Sequence, residues 1–440
     1  MRAKQASHPV TVCGMVLVML LRFVFAGLSL LLVATAPAQR VSPLASPPDW
    51  SQLEGFQETI TREEFVHLLE HAYAPKDATK GMVDVEAESA VIKTQLTPAK
   101  DFRLRFAKDA ASAKAVPRYW RPASALPPAS PEKPLAGLKI ALDPGHIGGA
   151  WAQMEERWFQ IGESRPVIEG EIALRVAKML AVKLQAMGAE VSLVRDSLEP
   201  VTKKRPDDLR PVAREELARL GVKAPQENYR SLGDPDRGKT VQAESELLFY
   251  RIAEIRQRAE LVNTRLQPDL VVCLHLNGEE WGDPQRPDFV PRNHLHVLVN
   301  GCYSAAELRY DDQRFEMLFK LLSRDFPEEV AAAEPVAGAL AAATKLPPYA
   351  YTTGNAIRAG TSPYLWARNL LANRLYHAPV VFLEPYVMNS EIVWARVQAG
   401  DYEGELMVGG EMRKSLFREY ADAVAGGLRE YYSKARPAQP

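Results

Sequence analysis

Three short apolar runs, far apart along the chain, each end on a side chain that can bind a metal or move a proton. Leu138-Lys139-Ile140-Ala141-Leu142 runs into Asp143-Pro144-Gly145-His146. Leu270-Val271-Val272-Cys273-Leu274 runs into His275, and Pro379-Val380-Val381-Phe382-Leu383 runs into Glu384. Runs of this length, rich in β-branched residues and bounded by polar, Gly or Pro residues, are expected as buried strands. A run that is apolar on both faces belongs in the middle of a sheet covered by helices. In open sheets with parallel strands, ligands bind in the crevice beyond the carboxyl ends of the strands. The pattern predicts an α/β unit, a twisted and mostly parallel sheet flanked by helices, with His146, His275 and Glu384 at one edge.

A fourth group joins them from a helix. Ile172, Val176, Leu180 and Leu184 recur at period four between Glu169 and Met187, and Gly188 ends the helix. Strand Glu190–Val194 then closes a βαβ unit, which is right-handed. Glu169 opens the helix, where a carboxylate also complements the helix dipole. Two His and one Glu can hold a catalytic zinc that keeps one coordination position open, and a further Glu can act as base. Singly, each has a plainer reading: His146 as a turn residue, His275 as a core histidine, Glu169 as a dipole charge.

The Asp-Pro-Gly-His turn, the Glu opening the next helix, the strand ending in His275-Leu276-Asn277 and the late strand ending in Glu384 form an ordered set. Together they resemble the zinc-dependent N-acetylmuramoyl-L-alanine amidases of the amidase-3 type, over roughly residues 136–432 with interruptions. The resemblance implies one Zn2+ per chain on His146, Glu169 and His275, with Glu384 as the catalytic acid/base. It implies peptidoglycan as substrate, cut between the lactyl group of N-acetylmuramic acid and L-alanine. Arg258 and Asn263 match the family's Arg-x-x-x-x-Asn ahead of the second His, and are expected to tie their helix to the sheet. Asp143 is expected to hydrogen-bond behind the ligands, and Asn277 to support the site or touch substrate. The family's Glu-x-Gly-Phe is replaced by Glu384-Pro385-Tyr386-Val387, with a shifted Asn389, so substrate detail is expected to differ. A catalytically weak homologue that binds cell wall and regulates another hydrolase is one alternative. A zinc peptidase acting on another peptidoglycan amide is the other.

The remaining segments frame this unit. Residues 1–38 hold Arg2, Lys4 and Arg22 but no acid, then an apolar stretch Phe23 to Val33 and the small-residue site Ala36-Pro37-Ala38. This is the pattern of an export signal, or of a membrane anchor where it is retained. A start at Met15 or Met19 would bring Arg22 into the basic region. Either way the rest of the chain is expected in the periplasm or outside the cell. Residues 48–115 read as a small α/β or α+β domain, with helix Arg62–Ala74 capped by Thr61 and Glu64, and strands at Met82–Val85, Ala90–Lys93 and Phe102–Phe106. Residues 116–135 read as a Pro/Ala-rich linker. Residues 197–245 interrupt the family pattern as an insertion with a helix at Pro211–Leu220. This insertion is expected as a surface elaboration or a lid over the cleft, and as the place where an activator protein would act.

Later elements are a helix at Ser245–Leu266 and a strand at Asn293–Asn300 carrying His294 and His296 on one face as structural residues. Helices at Phe315–Leu322 and Glu334–Thr344, an irregular stretch from Tyr349 to Ala367 and a closing helix Glu411–Tyr431 follow. A net charge of −1 offers no electrostatic footing for nucleic acid. Cys13 lies in the leader, and Cys273 and Cys302 are expected as free thiols or a pair, with no CxxC motif.

Overall fold

The structure, a computed structural model, describes residues 40–280, 282 and 287–436. The export signal expected at 1–38 lies outside them. The amino-terminal part holds helix α1 (Arg62–Leu68), continued by a π turn at Leu69–Tyr73, and strands β1 (Val83–Val85), β2 (Ser89–Leu96) and β3 (Ala99–Arg105). The strands form a three-stranded antiparallel sheet. Thr61 Oγ1 accepts from Glu64 N at 3.2 Å, the N-cap bond that satisfies an otherwise orphaned helix donor.

The apolar runs lie in the main sheet. Its strands are β4 (Lys139–Pro144), β5 (Glu190–Leu193), β6 (Leu270–Leu274), β7 (Leu295–Val299), β8 (Ile357–Arg358), β9 (Leu365–Ala367) and β10 (Val380–Pro385). The spatial order is β8-β9-β7-β10-β6-β4-β5. Strands β10, β6, β4 and β5 run parallel to one another. Strand β7 is antiparallel to β10 and parallel to β9, and β8 is antiparallel to β9. The architecture is thus a mostly parallel α/β sheet. Every residue of β6 is buried, as a strand with neighbours on both sides and helices on both faces must be.

The helices are α2 (Glu169–Ala186), α3 (Arg210–Arg219), α4 (Val241–Leu247), α5 (Glu254–Leu261), α6 (Asp311–Ser323), α7 (Asp325–Thr344), α8 (Glu391–Ala399) and α9 (Leu416–Ala435). On one face α2, α7 and α9 bury Leu180, Val336 and Val424 against Leu142, Val272 and Leu383. Gly427 lets α9 meet α7 closely, since a Cβ there would sit 2.4 Å from Val336 Cα. On the other face Ala259 and Val262 pack on Val271, Cys273, Leu298 and Phe382. Helix α6 buries Phe315, Leu318 and Leu322 in one core with Phe56, Phe65 and Ile92 of the amino-terminal part. Along residues 116–135, Trp120, Leu126 and Leu135 are buried, and Arg121 pairs with buried Asp269 at 2.7 Å. No helix among the described residues is long and apolar enough to cross a membrane. Cys273 and Cys302 are free and buried.

Two expectations are corrected. The closing helix does not start at Glu411 but at Leu416. Glu405–Val408 and Glu411–Lys414 instead pair as an antiparallel hairpin around Gly409 and Gly410, at φ +63° and +84°. Two consecutive positive-φ residues are what a two-residue hairpin turn of the right twist demands. The stretch Tyr349–Ala367 is not wholly irregular either, because Leu365–Ala367 pairs with β7 inside the main sheet. Three residues are too few to show a period in sequence.

A buried cation ties the layers together. Lys320 on α6 is fully buried, pairs with Asp325 and lies 3.0 Å from Glu329. It also donates to Ala378 O at 2.9 Å and Tyr376 O at 3.2 Å, just before β10. Glu329 accepts from Val380 N at 3.0 Å and Asn300 N at 2.9 Å. Removing the cation leaves two buried carboxylates without their partner. Lys320→Met is therefore expected to destabilise the protein by about 3–5 kcal/mol, seen as a lower urea midpoint at unchanged slope.

Candidate metal centre

The first candidate ligand sits on a constrained turn. Gly145 N donates to Leu274 O at 2.8 Å, which locks the end of β4 to β6. A Cβ on Gly145 would lie 2.3 Å from the His275 ring, so the residue must be glycine for the imidazole to occupy its place. His146 follows with φ +55°, uncommon for a residue with a Cβ. Arg258 holds that turn: Nη2 donates to His146 O at 2.8 Å, and Nη1 donates to Pro144 O at 2.8 Å and to Asp143 Oδ1 at 2.9 Å. Asp143 Oδ2 accepts from Tyr376 OH. Asp143 thus acts on the turn through Arg258. Asn263, expected with Arg258 to tie their helix to the sheet, donates to Leu375 O at 2.9 Å and accepts from His377 N at 2.8 Å, just ahead of β10.

Glu169 stands at the first position of α2, buried between the two imidazoles. Its Oε1 accepts from Leu276 N at 2.9 Å and lies 3.1 Å from His275 Nδ1. Its Oε2 lies 3.3 Å from His146 Nε2 and 3.1 Å from Arg157 Nε, yet accepts no well-formed hydrogen bond. An ionised oxygen buried in that state calls for a cation. The helix start is brought under the His146 loop by glycine-on-glycine contact: a Cβ on Gly170 would sit 2.5 Å from Gly148 N. The His275 ring stacks on Phe382 at 4.3 Å and stands edge-on to His146 at 5.1 Å. Tyr420 OH donates to His275 O at 3.1 Å.

One ligand atom from each of His146, Glu169 and His275 falls within 4.8 Å of the others. Burial holds the His146 imidazole well below its usual range, against the pull of Glu169, so it stays neutral as a ligand must. Burial works to raise the Glu169 carboxyl, but His146, His275 and Arg157 outweigh it and hold it below the usual carboxylate range. Burial lowers His275, and its hydrogen bond to Glu169 more than offsets that, so its affinity for a proton rises. Two imidazoles and an ionised carboxylate converging on one point can hold a metal ion.

Glu384 ends β10 next to this group, where His275 N donates to Leu383 O at 3.0 Å. Burial pushes its carboxyl up to about 7, with His275 pulling the other way and Glu169 adding to the rise. Asn277 Nδ2 donates to His296 Nδ1 at 3.1 Å and to Glu384 O at 3.3 Å, so it fixes the backbone carrying Glu384. His294 and His296 belong to this second layer and are not part of the ligand group.

Sequence reasoning passed over Glu155, Arg157 and Arg195. Glu155 is buried, accepts from Ile147 N at 3.0 Å and Gly148 N at 3.1 Å, and lies 3.6 Å from His146 Nδ1. Arg195 Nη2 donates to Gly170 O at 2.9 Å. Glu155 and Arg157 lie in a loop, where no period marks which side chains turn inward. The insertion also leans on this loop. Leu209, Ala213 and Leu217 share a core with Val241, Phe249 and Ile147, the residue after His146. Glu254 accepts from Val201 N at 3.1 Å and Thr202 N at 2.9 Å, and from Arg258 Nε at 2.8 Å.

No family model matches the chain, and no curated protein matches it. Among solved structures it is similar to the N-acetylmuramyl-L-alanine amidase Ami1 from Mycobacterium smegmatis, at 16% identity and TM-score 0.34 over 68% of this chain and 99% of that one. It is similar to the CwlD amidase from Clostridioides difficile in complex with the GerS lipoprotein, at 13% identity and TM-score 0.37 over 67% and 98%. It is also similar to the N-acetylmuramoyl-L-alanine amidase AmiC2 of Nostoc punctiforme, at 15% identity and TM-score 0.33 over 68% and 97%. At such distances the assignment is left to the chemistry of the site itself.

The contact of Gly145 with His275 generates a test. Gly145→Ala drives a methyl group into the imidazole and is expected to weaken metal affinity about 10–100-fold with the fold retained. Metal content after dialysis, read beside far-UV circular dichroism, checks it.

Proposed function

We propose that the chain is a zinc-dependent N-acetylmuramoyl-L-alanine amidase acting on peptidoglycan in the periplasm or outside the cell. The observation that carries this reading is the convergence of one ligand atom each from His146, Glu169 and His275 on one point, with Glu384 near the end of the neighbouring strand. Two nitrogen ligands and one oxygen ligand are the protein donor set of hydrolytic zinc sites, which keep a fourth position for water. A zinc ion held there supplies a Lewis acid for the amide carbonyl and lowers the pKa of water to about 7.

The protein's own residues do the rest. Glu384 accepts the proton of the attacking water and returns it to the leaving amine. Glu169, anchored by Leu276 N, holds its charge between the imidazoles. Phe382 supports the His275 ring, and Arg258 holds the His146 turn in its left-handed conformation. Tyr386 stands where the resembling family has glycine, and its φ of +63° is a value glycine adopts freely. Its ring is buried and its hydroxyl donates to Glu419 at 2.8 Å. A partner that displaced the 197–245 segment would act on the His146 loop through Ile147.

Two outcomes are expected. Activity on purified sacculi, read as free peptide stems with new alanine amino termini, disappears in chelator and returns with zinc. Glu384→Gln keeps its zinc but loses at least about 100-fold in kcat, as removal of a general acid/base does. New termini at a cross-link instead of at alanine would overturn the choice of bond.

A further inference from the structure

Beside Glu384 lies a polar network that the hydrolytic chemistry does not use. His296 on β7 lies directly opposite Glu384 on β10. Asn277 Nδ2 can only donate, and it does so to His296 Nδ1 at 3.1 Å. His296 is buried and its proton affinity is held low by that burial, near 3, so the ring is neutral. With Nδ1 accepting, the single ring proton sits on Nε2. That proton is donated to Tyr351 OH at 3.2 Å. Arg368 Nη1 also donates to Tyr351 OH, at 3.3 Å.

Both contacts use Tyr351 as acceptor, so its own hydroxyl proton is left to donate elsewhere. The guanidinium of Arg368 is half-buried, lies 5.4 Å from the Tyr351 ring centroid and makes no ion pair among the described residues. It stands close enough to Glu384 to influence its charge. The donors Asn277, His296 and Arg368 therefore converge on the Tyr351 hydroxyl, whose own proton stays free to donate beside the guanidinium.

We propose that Arg368 and Tyr351 form a carboxylate-binding subsite that takes an acidic group on the peptide side of the scissile amide. A planar fork of N–H donors matches a carboxylate in two-point fashion, and the Tyr351 hydroxyl adds a third donor. The peptide side follows from the reading above, on which this inference rests. The lactyl carboxyl of the sugar is consumed in the amide, so free carboxylates belong to the peptide. Arg368 and Tyr351 are binding residues that position the substrate against Glu384, and they take no part in proton transfer.

Calorimetry with the zinc-loaded full chain tests this without needing turnover. The probes are the peptide amides Ala–Glu–NH2 and Ala–Gln–NH2, which differ only in the side-chain carboxylate. The wild type is expected to bind the acidic probe about 10–100-fold more tightly than the neutral one, as charged hydrogen bonds allow. Arg368→Met is expected to erase that preference, and Arg368→Lys to keep part of it, since charge remains while the fork is lost. Tyr351→Phe removes the hydroxyl and should reduce the preference by several-fold with zinc content unchanged, at a lowered melting temperature because the buried His296 Nε2–H loses its acceptor. On acidic substrates KM rises more than kcat falls. Equal affinity of the wild type for the two probes, or a preference that survives in Arg368→Met, overturns the subsite. A preference in a wild type that releases no stems from sacculi keeps the subsite and removes the amidase reading. Stem release with no preference does the reverse.

Discussion

The guanidinium of Arg258 sets the geometry on which the whole site depends. It is buried, and its donors reach Asp143, the carbonyls of Pro144 and His146, and Glu254. These partners belong to the end of β4, to the left-handed turn after it and to the helix on which Arg258 itself rides. Glu254 passes the connection on to the first residues of the insertion. A charge taken out of water survives only when its partners are complete, and here each partner is a piece of backbone or carboxylate that must be in place for His146 to face Glu169. A lysine has neither the planar fork nor the reach to satisfy these four groups at once.

Crowding does the complementary work. Gly145, Gly148 and Gly170 let strand end, loop and helix start approach so closely that any Cβ would collide. That approach buries Glu169 between His146 and His275 and leaves its Oε2 without a well-formed hydrogen bond, beside the Arg157 guanidinium. The same packing that makes the carboxylate unfavourable without a cation makes it a ready ligand for one. The resulting electrostatics are mutual: the imidazoles keep Glu169 ionised, and Glu169 raises the proton affinity of His275 while burial keeps His146 neutral.

The surrounding layers transmit support inward. Lys320 joins α6 and α7 to the start of β10, the strand that ends in Glu384. The far face of α6 shares its core with the amino-terminal part, so Phe56 and Phe65 are linked by packing to the strand of Glu384. On the opposite flank the 197–245 segment packs on Ile147 and hence on the His146 turn. The amino-terminal part reaches the site through an apolar core, and the 197–245 segment through an apolar core together with Glu254.

The sequence by itself determined the strands and what stands at their ends. A buried strand is a local event, written in a run such as Val271-Val272-Cys273-Leu274 and in the residue that breaks it. His146, Glu169, His275 and Glu384 could be singled out because each lies where such an element starts or stops. The helix over 169–186 was legible for the same reason, from its period. Only the tertiary structure decided that β7 enters antiparallel beside β10, which sets His296 opposite Glu384. It alone brought Arg157 to Glu169, Tyr376 to Asp143 and Arg368 to Tyr351. Even the Gly409-Gly410 hairpin, a local signal, was hidden by the helical run that follows it. Periodicity reports how a residue sits on its own element. It carries no information about which other element a loop side chain or a long guanidinium will meet, because that is settled by packing between segments that are separate in the chain.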